Sequence, residues 1–127
     1  MLLPEVAMKM DAKLDTGAKT SSIGAEILSD NNHSDTVTFR IANEDGEERT
    51  LEREVVRTVK IKMRGGGTEE RKVVELEVCL GIQRIKGEFS LADRSNFNYP
   101  VLIGRSLLED ASIAVRSDEE YVDDPDC

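Results

Sequence analysis

A carboxylate held on a tight turn is the feature of this sequence best suited to acid–base chemistry. The turn follows an alternating segment in which Met10, Ala12 and Leu14 point to the same side, and it reads Asp15-Thr16-Gly17-Ala18. Glycine has no Cβ, so it allows another stretch of backbone to come close, and the threonine hydroxyl can lock the turn. The pattern therefore predicts a strand that ends at Asp15 and presents its carboxylate.

The chemistry that such a carboxylate serves in aspartic peptidases needs two of them. Two adjacent carboxylates share one proton, so that one member can activate a water while the other donates to a carbonyl oxygen. The sequence holds no second Asp-Thr-Gly or Asp-Ser-Gly, because Val37 follows Asp35-Thr36 and Asp45-Gly46 lacks the hydroxyl residue. If Asp15 is catalytic, its partner is Asp15 of a second chain across a two-fold axis.

Length and charge limit the classes of function. The 127 residues fit one domain of ordinary size. The net charge is −9, with 26 acidic against 17 basic residues, which argues against nucleic acid or an anionic membrane as a partner. No segment approaches the roughly 20 apolar residues of a membrane span. These features predict a soluble domain, with cytoplasm and periplasm both open, since the sequence shows no signal peptide and an upstream segment could be missing.

The acidic residues concentrate at the C-terminus, in Asp118-Glu119-Glu120 and again from Asp123 to Asp126. We expect a domain over residues 1–117 and a mobile acidic tail over residues 118–127. Cys79 lies in an apolar run and is expected in the core. Cys127 is terminal, and two such cysteines do not form a disulfide framework.

Hydrophobic residues recur with a period of two along most of the sequence, which is typical of strands. Asp45-Gly46 predicts a two-residue hairpin turn, Gly65-Gly66-Gly67 predicts a second turn, and Gly87 is expected to interrupt a strand. The predicted strands are Thr36–Ile41, 49–63, 71–80, 85–91, 99–104 and 112–115, with a single helical turn over 105–110. The fold class is therefore all-β with one short helix.

A second motif makes a family resemblance specific. The run Val101-Leu102-Ile103-Gly104-Arg105 follows the Asp-Thr-Gly-Ala motif at a distance, and the two together resemble the retropepsin-like aspartic peptidases. The resemblance implies a closed acid-protease barrel in which the aliphatic-Gly strand packs beneath the Asp-Thr-Gly loop. It also implies that Asp15 is catalytic, that the Thr16 hydroxyl bonds the partner's loop, and that Gly17, Ala18, Gly104 and Arg105 support the site.

The sequence is also similar to a bacterial branch commonly labelled "ATP-dependent zinc protease" and often found beside ATP-grasp ligases of the ribosomal-protein-modifying type. The similarity runs from about Lys9 to Val115. It is carried by Ala12-Lys13-Leu14-Asp15-Thr16-Gly17-Ala18-Lys19-Thr20-Ser21, Leu91-Ala92-Asp93-Arg94-Ser95 and Tyr99-Pro100-Val101-Leu102-Ile103-Gly104-Arg105. The zinc label has little support in the residues, because His33 is the sole histidine and the two cysteines stand alone. We therefore predict no metal and no other cofactor.

Two departures from the retroviral pattern leave alternatives open. Lys19 stands where retroviral enzymes have the aspartate that pairs with the arginine, so Arg105 needs Asp93, Asp11 or backbone carbonyls instead. The acidic C-terminal tails would repel one another in a dimer sheet of the retroviral kind. The dimer is therefore either built differently or weak.

Three further segments have both a functional and a plain interpretation. Gly65-Gly66-Gly67 is a candidate tip of a substrate-covering flap, or a simple hairpin turn. Residues 19–22 either recognise an acidic substrate or form a polar loop, and the polar loop is favoured. Arg94 either supports the active-site loop or lies free at the surface.

The function predicted from these observations is that of a homodimeric aspartic endopeptidase acting on an extended peptide. Two alternatives stay open. One is a catalytically inactive retropepsin-fold binding or regulatory module, and the other is the soluble domain of a larger membrane-linked protein.

Overall fold

The computed structural model describes residues 1–31, 35–62, 65–81, 83–92 and 100–110. Within these ranges the chain forms strands joined by short turns, and a six-residue helix follows the last strand. The elements are β1 (Leu2–Leu3), β2 (Met8–Lys9), β3 (Ala12–Asp15), β4 (Ser21–Gly24), β5 (Glu26–Asn31), β6 (Thr36–Ala42), β7 (Glu48–Glu54), β8 (Arg57–Lys62), β9 (Thr68–Leu80), β10 (Gln83–Ala92), β11 (Val101–Gly104) and α1 (Arg105–Asp110).

The strands form two sheets. The larger has the order β2-β1-β9-β10-β4-β11-β3, with β8 paired to another stretch of β9, and it curls into a half-barrel. The smaller contains β5, β6 and β7 in that order. The predicted all-β class with a short helix directly after Gly104 is therefore confirmed. No helix in the described part of the chain has the length and apolar character needed to cross a membrane.

The core lies between the sheets and is built from alternating strand residues. In β6 the side chains of Val37, Phe39 and Ile41 are buried while their neighbours are not, as the period-two pattern predicted. Phe89 from β10 and Ile103 from β11 are fully buried in the same cluster. With few aromatic residues in the chain, the remaining core is mostly aliphatic.

The prediction of one long strand from Arg49 to Met63 is wrong. The chain leaves the small sheet after β7 and enters the large sheet at β8. At the crossing, Val55 N donates to Asp35 O and Val56 N donates to Val73 O, each at 2.8 Å. Leu51 and Val55 before the crossing and Val59 and Ile61 after it all fall on odd-numbered positions, so the period-two pattern did not mark the change of sheet.

Three other local predictions also differ from the structure. The β6–β7 connection spans residues 43–47, which is longer than the predicted two-residue turn. Gly87 lies inside an uninterrupted β10, opposite Leu76. Ser21 and Ser22, expected in a polar loop, are buried at the start of β4.

Cys79 is fully buried as predicted, but it is disulfide-bonded and not a free thiol. Several predicted features lie outside the described residues and stay predictions. They are the strand over 112–115, the tail over 118–127, and the individual residues His33, Asp93, Arg94, Tyr99 and Cys127.

Candidate functional site

Asp15 is the last residue of β3, at the margin of the large sheet. Among the described strands β3 pairs with β11 alone, in parallel, and this register places Asp15 opposite Gly104. The Asp15 side chain is half-exposed. Its Oδ1 accepts a hydrogen bond from Gly17 N at 3.0 Å, which fixes the carboxylate on the turn.

The loop that follows Asp15 is held by backbone bonds on two sides. Ala18 N donates to Asp15 O at 3.2 Å and closes the turn. At the start of α1, Arg105 N donates to Ala18 O at 2.8 Å and Ser106 N to Lys19 O at 3.2 Å. The first N–H groups of a helix have no partner within the helix, so α1 uses two of them to fasten this loop.

Gly104 lies where the second motif meets the loop. A Cβ built on Gly104 would lie 2.7 Å from the Thr20 carbonyl carbon and 2.9 Å from Lys19 O, so no side chain fits there. Gly104 N donates to Ser21 Oγ at 2.9 Å in a buried contact. The two predicted motifs are therefore in direct contact through backbone atoms.

Ser21 supports the site in a way that the sequence pattern did not predict. Serine and threonine fill residues 20–22, and this composition predicts a polar loop. In the structure the Ser21 hydroxyl is buried between β4 and β11, where it satisfies a backbone N–H. A serine at the first residue of a strand that follows a functional turn would have been the signal for this role.

The outer side of the turn faces solvent. Thr16 and Gly17 are exposed, while Ala18 is half-buried against the helix side. The Asp-Thr-Gly segment is therefore accessible to another molecule. Carboxylates presented in this way can act as general acids or bases towards a ligand that approaches from outside.

Arg105 supports the loop through its backbone N–H, while its side chain is exposed. No ion pair joins this side chain to Asp11 or to any other acid in the described ranges. Asp93, the other acid considered, lies outside them. The ion-pair role implied by the resemblance therefore stays a prediction.

Gly65, Gly66 and Gly67 form the tip of the β8–β9 hairpin, where Lys62 pairs with Thr68. Their φ angles are 90°, 96° and 82°, a region that side chains rarely adopt, and a Cβ on any of them would meet open space. The positive φ angles therefore favour glycine at these three positions, although a Cβ would clash with no neighbouring atom. The hairpin is confirmed, and its role as a flap stays a prediction.

The base of this hairpin borders a cleft beside the Asp15 loop. The cleft has a volume of about 330 Å³, and Lys19, Thr20, Arg57 and Glu88 are among its lining residues. Arg57 Nε donates to Glu88 Oε1 at 2.6 Å, which ties the first residue of β8 to β10. The loop after Asp15 and the base of the hairpin thus line the same cleft.

The acidic, cysteine and histidine side chains are the donors that a metal ion would need. In the described part of the chain, no group of three or more His, Cys, Asp or Glu side chains is arranged to hold a metal ion.

A strand that ends at the Asp of an Asp-Thr-Gly turn, fastened by an aliphatic-Gly-Arg strand and a short helix, defines a retropepsin-like aspartic peptidase fold. The model of a family described as "RimB-like: Retropepsin-like aspartic endopeptidase RimB" matches residues 1–126. The chain therefore belongs to this family, and the resemblance drawn from the two motifs is confirmed at that level.

A solved structure supports the same fold. It is the crystal structure of a protein of unknown function (DUF785) from Legionella pneumophila subsp. pneumophila str. Philadelphia 1. The two chains are 32% identical, the TM-score is 0.76, and the alignment covers 91% of this chain and 85% of that one. The search of curated proteins found no match.

Proposed function

We propose that this protein is an aspartic endopeptidase that works as a homodimer, with one Asp15 from each chain. The observation that carries the proposal is the half-exposed Asp15 carboxylate on a turn fastened by Gly104, Arg105 and Ser106. Membership of a family described as aspartic endopeptidases supports the same activity. The single Asp-Thr-Gly in the sequence makes a second chain necessary.

The proposed reaction uses the two carboxylates in opposite protonation states. The ionised Asp15 takes a proton from a water as its oxygen attacks the peptide carbonyl carbon, while the protonated Asp15 donates to the carbonyl oxygen. The C–N bond then breaks as a carboxyl group returns a proton to the leaving nitrogen. No covalent bond forms between enzyme and substrate.

The second copy is proposed to approach the face that carries Thr16 and Gly17. These residues are exposed beside Asp15, and β3 is an edge strand among the described strands. A two-fold axis at this face would bring equivalent turns together and let the Thr16 hydroxyl reach the partner's loop.

The substrate is proposed to be a peptide bound as an extended strand beneath the β8–β9 hairpin. The glycine tip of that hairpin is exposed and its base borders the cleft beside Lys19. Extended peptides pair readily with strand edges, which gives affinity through main-chain bonds. Closure of such a hairpin would exclude water from the scissile bond.

Asp15→Asn tests the catalytic role, because it keeps the size of the side chain and removes its acid–base function. We expect cleavage of casein or of a peptide library to disappear while the circular dichroism spectrum and melting curve persist. Glu48→Gln, which removes one negative charge from an exposed position on β7, is the matched control and should retain activity. Full activity in Asp15→Asn would overturn the mechanism.

A mixing experiment tests whether the site is shared between chains. Excess Asp15→Asn protein, mixed with wild type, should suppress activity well below simple dilution, because mixed dimers have one functional carboxylate. Activity that falls only in proportion to dilution would show that each chain acts alone.

The inactive binding or regulatory module is the second candidate, favoured by the exposed Lys19 in place of the retroviral aspartate. It predicts peptide binding without cleavage by wild type, and Asp15→Asn would then leave binding unchanged. We also propose an association with ATP-grasp ligases of the ribosomal-protein-modifying type, because the resemblance to the bacterial branch suggests it.

A further inference from the structure

The connection between β6 and β7, residues 43–47, contacts the segment that leads into the Asp15 strand. Asn43 Nδ2 donates to Lys9 O at 3.0 Å. Glu44 Oε1 accepts a hydrogen bond from Asp11 N at 3.0 Å. Two adjacent side chains of this connection therefore hydrogen-bond to the backbone just before β3 begins at Ala12.

Asn43 has every hydrogen-bonding position of its side chain filled. Its Oδ1 accepts from Asp45 N at 3.1 Å and from Glu47 N at 3.0 Å. Its Nδ2 donates to Glu47 Oε1 and to Lys9 O, each at 3.0 Å. A carboxamide offers two donors and two acceptor sites, so Asn43 both shapes the connection and holds the neighbouring backbone.

The segment that enters β3 is also held at Met10, whose N–H donates to Met1 O at 2.8 Å and whose carbonyl accepts from the Met1 amino group at 2.9 Å. In the described part of the large sheet, β3 is paired on one side only, to β11, over four residues that end at Asp15. Its entry is therefore fixed by the bonds at Met10 together with those from Asn43 and Glu44. A shift there would be transmitted along the short strand to the carboxylate at its far end.

We propose that Asn43 and Glu44 are positioning residues, which set the lateral position of β3 and thereby the distance between the two Asp15 carboxylates. The inference rests on the proposed function, because only a shared pair makes that distance matter. Reacting groups lose efficiency steeply with misplacement, and about 1 Å can cost about a hundredfold in rate. Neither residue touches the substrate in this scheme.

Two matched pairs of variants separate positioning from simple loss of stability. Asn43→Asp keeps both acceptor bonds of the connection and loses both donor bonds, to Lys9 O and to Glu47 Oε1, whereas Asn43→Ala loses all four bonds. Glu44→Gln keeps an acceptor for Asp11 N, whereas Glu44→Ala does not. We expect kcat to fall by about tenfold in Asn43→Asp and Glu44→Ala, with little change in KM, and to recover in Glu44→Gln.

The pH dependence of kcat gives a readout that a purely structural role would not move. Carboxylates that are less closely paired titrate closer together, so the two limbs of the bell-shaped profile should approach one another in Asn43→Asp. An unchanged kcat and an unchanged profile in both Asn43→Asp and Glu44→Ala would overturn the proposal.

Nuclear magnetic resonance tests the same inference without any activity assay. Gly17 N donates to Asp15 Oδ1, so the Gly17 amide shift reports the position of that carboxylate. It should move in Asn43→Asp and Glu44→Ala, and the Asp11 amide should exchange faster in Glu44→Ala. If the wild-type protein proves inactive, the proposed function fails, and these two signals still decide the positioning: unmoved signals overturn it.

Discussion

Gly104 lies against the backbone of Thr20 so closely that a single added carbon would sit 2.7 Å from the Thr20 carbonyl carbon. The contact joins the second motif to the loop that carries Asp15. Backbone atoms cannot rotate away as side-chain atoms can, so the position has no room for any residue but glycine.

Gly104→Ala should destabilise the protein by about 3 kcal/mol, because the added methyl group must displace the loop backbone. Gly87→Ala is the matched control, since its Cβ would meet Leu107 Cδ1 at 2.5 Å, the end of a side chain that can rotate. We expect about 1 kcal/mol there. Urea unfolding measures both, and equal losses would contradict the explanation.

The bond from Gly104 N to Ser21 Oγ gives a second prediction. Ser21→Ala leaves a buried N–H without an acceptor and should cost about 1–3 kcal/mol. Ser21→Thr keeps the hydroxyl and should cost less. Ser90→Ala is the control, because its hydroxyl bond to Ser21 O is longer, at 3.4 Å. Denaturant midpoints for the three variants check the order, and a neutral Ser21→Ala would refute it.

A substitution in the glycine tip of the β8–β9 hairpin should change KM without altering the residues that line the cleft. Gly66→Ala should strain the tip by about 1–2 kcal/mol, because φ is 96° there, and should raise KM if the hairpin covers substrate. Gly81→Ala carries similar strain at the β9–β10 turn, where φ is 60° and space is open. Steady-state kinetics on both should show the rise in KM for Gly66→Ala alone.

Self-association should depend on pH through the net charge of −9. As the pH falls from neutral to mildly acid, carboxylates become protonated, the repulsion between copies weakens, and the dimer should become tighter. Sedimentation equilibrium at several pH values and fixed salt measures this directly. A protein that stays monomeric at every pH would contradict the shared-site proposal.

Much of this fold follows from local pattern, and its exceptions have specific causes. The alternation in β6 predicted its buried face because one side of that strand packs on the core. The change of sheet at Val55 and Val56 was invisible because it depends on distant carbonyl partners, Asp35 O and Val73 O. Periodicity reports which side of a strand is buried and says nothing about which strand lies beside it.

In the candidate site too, residues within local motifs were predicted, and residues that act through distant partners were not. Asp15 and Gly104 were recognised from their motifs, and the structure places them opposite one another. Ser21 and Asn43 were missed because their roles are hydrogen bonds to backbone groups far away in sequence. A polar residue that satisfies a distant N–H or carbonyl looks like any other polar residue in the sequence.

Among the described strands, β3 has one unpaired edge, and this edge has a consequence for how a single chain behaves in a crowded solution. That edge is four residues long and carries the charges of Lys13 and Asp15, so it is a poor template for indiscriminate strand pairing. A short, charged edge of this kind disfavours indiscriminate aggregation between single chains.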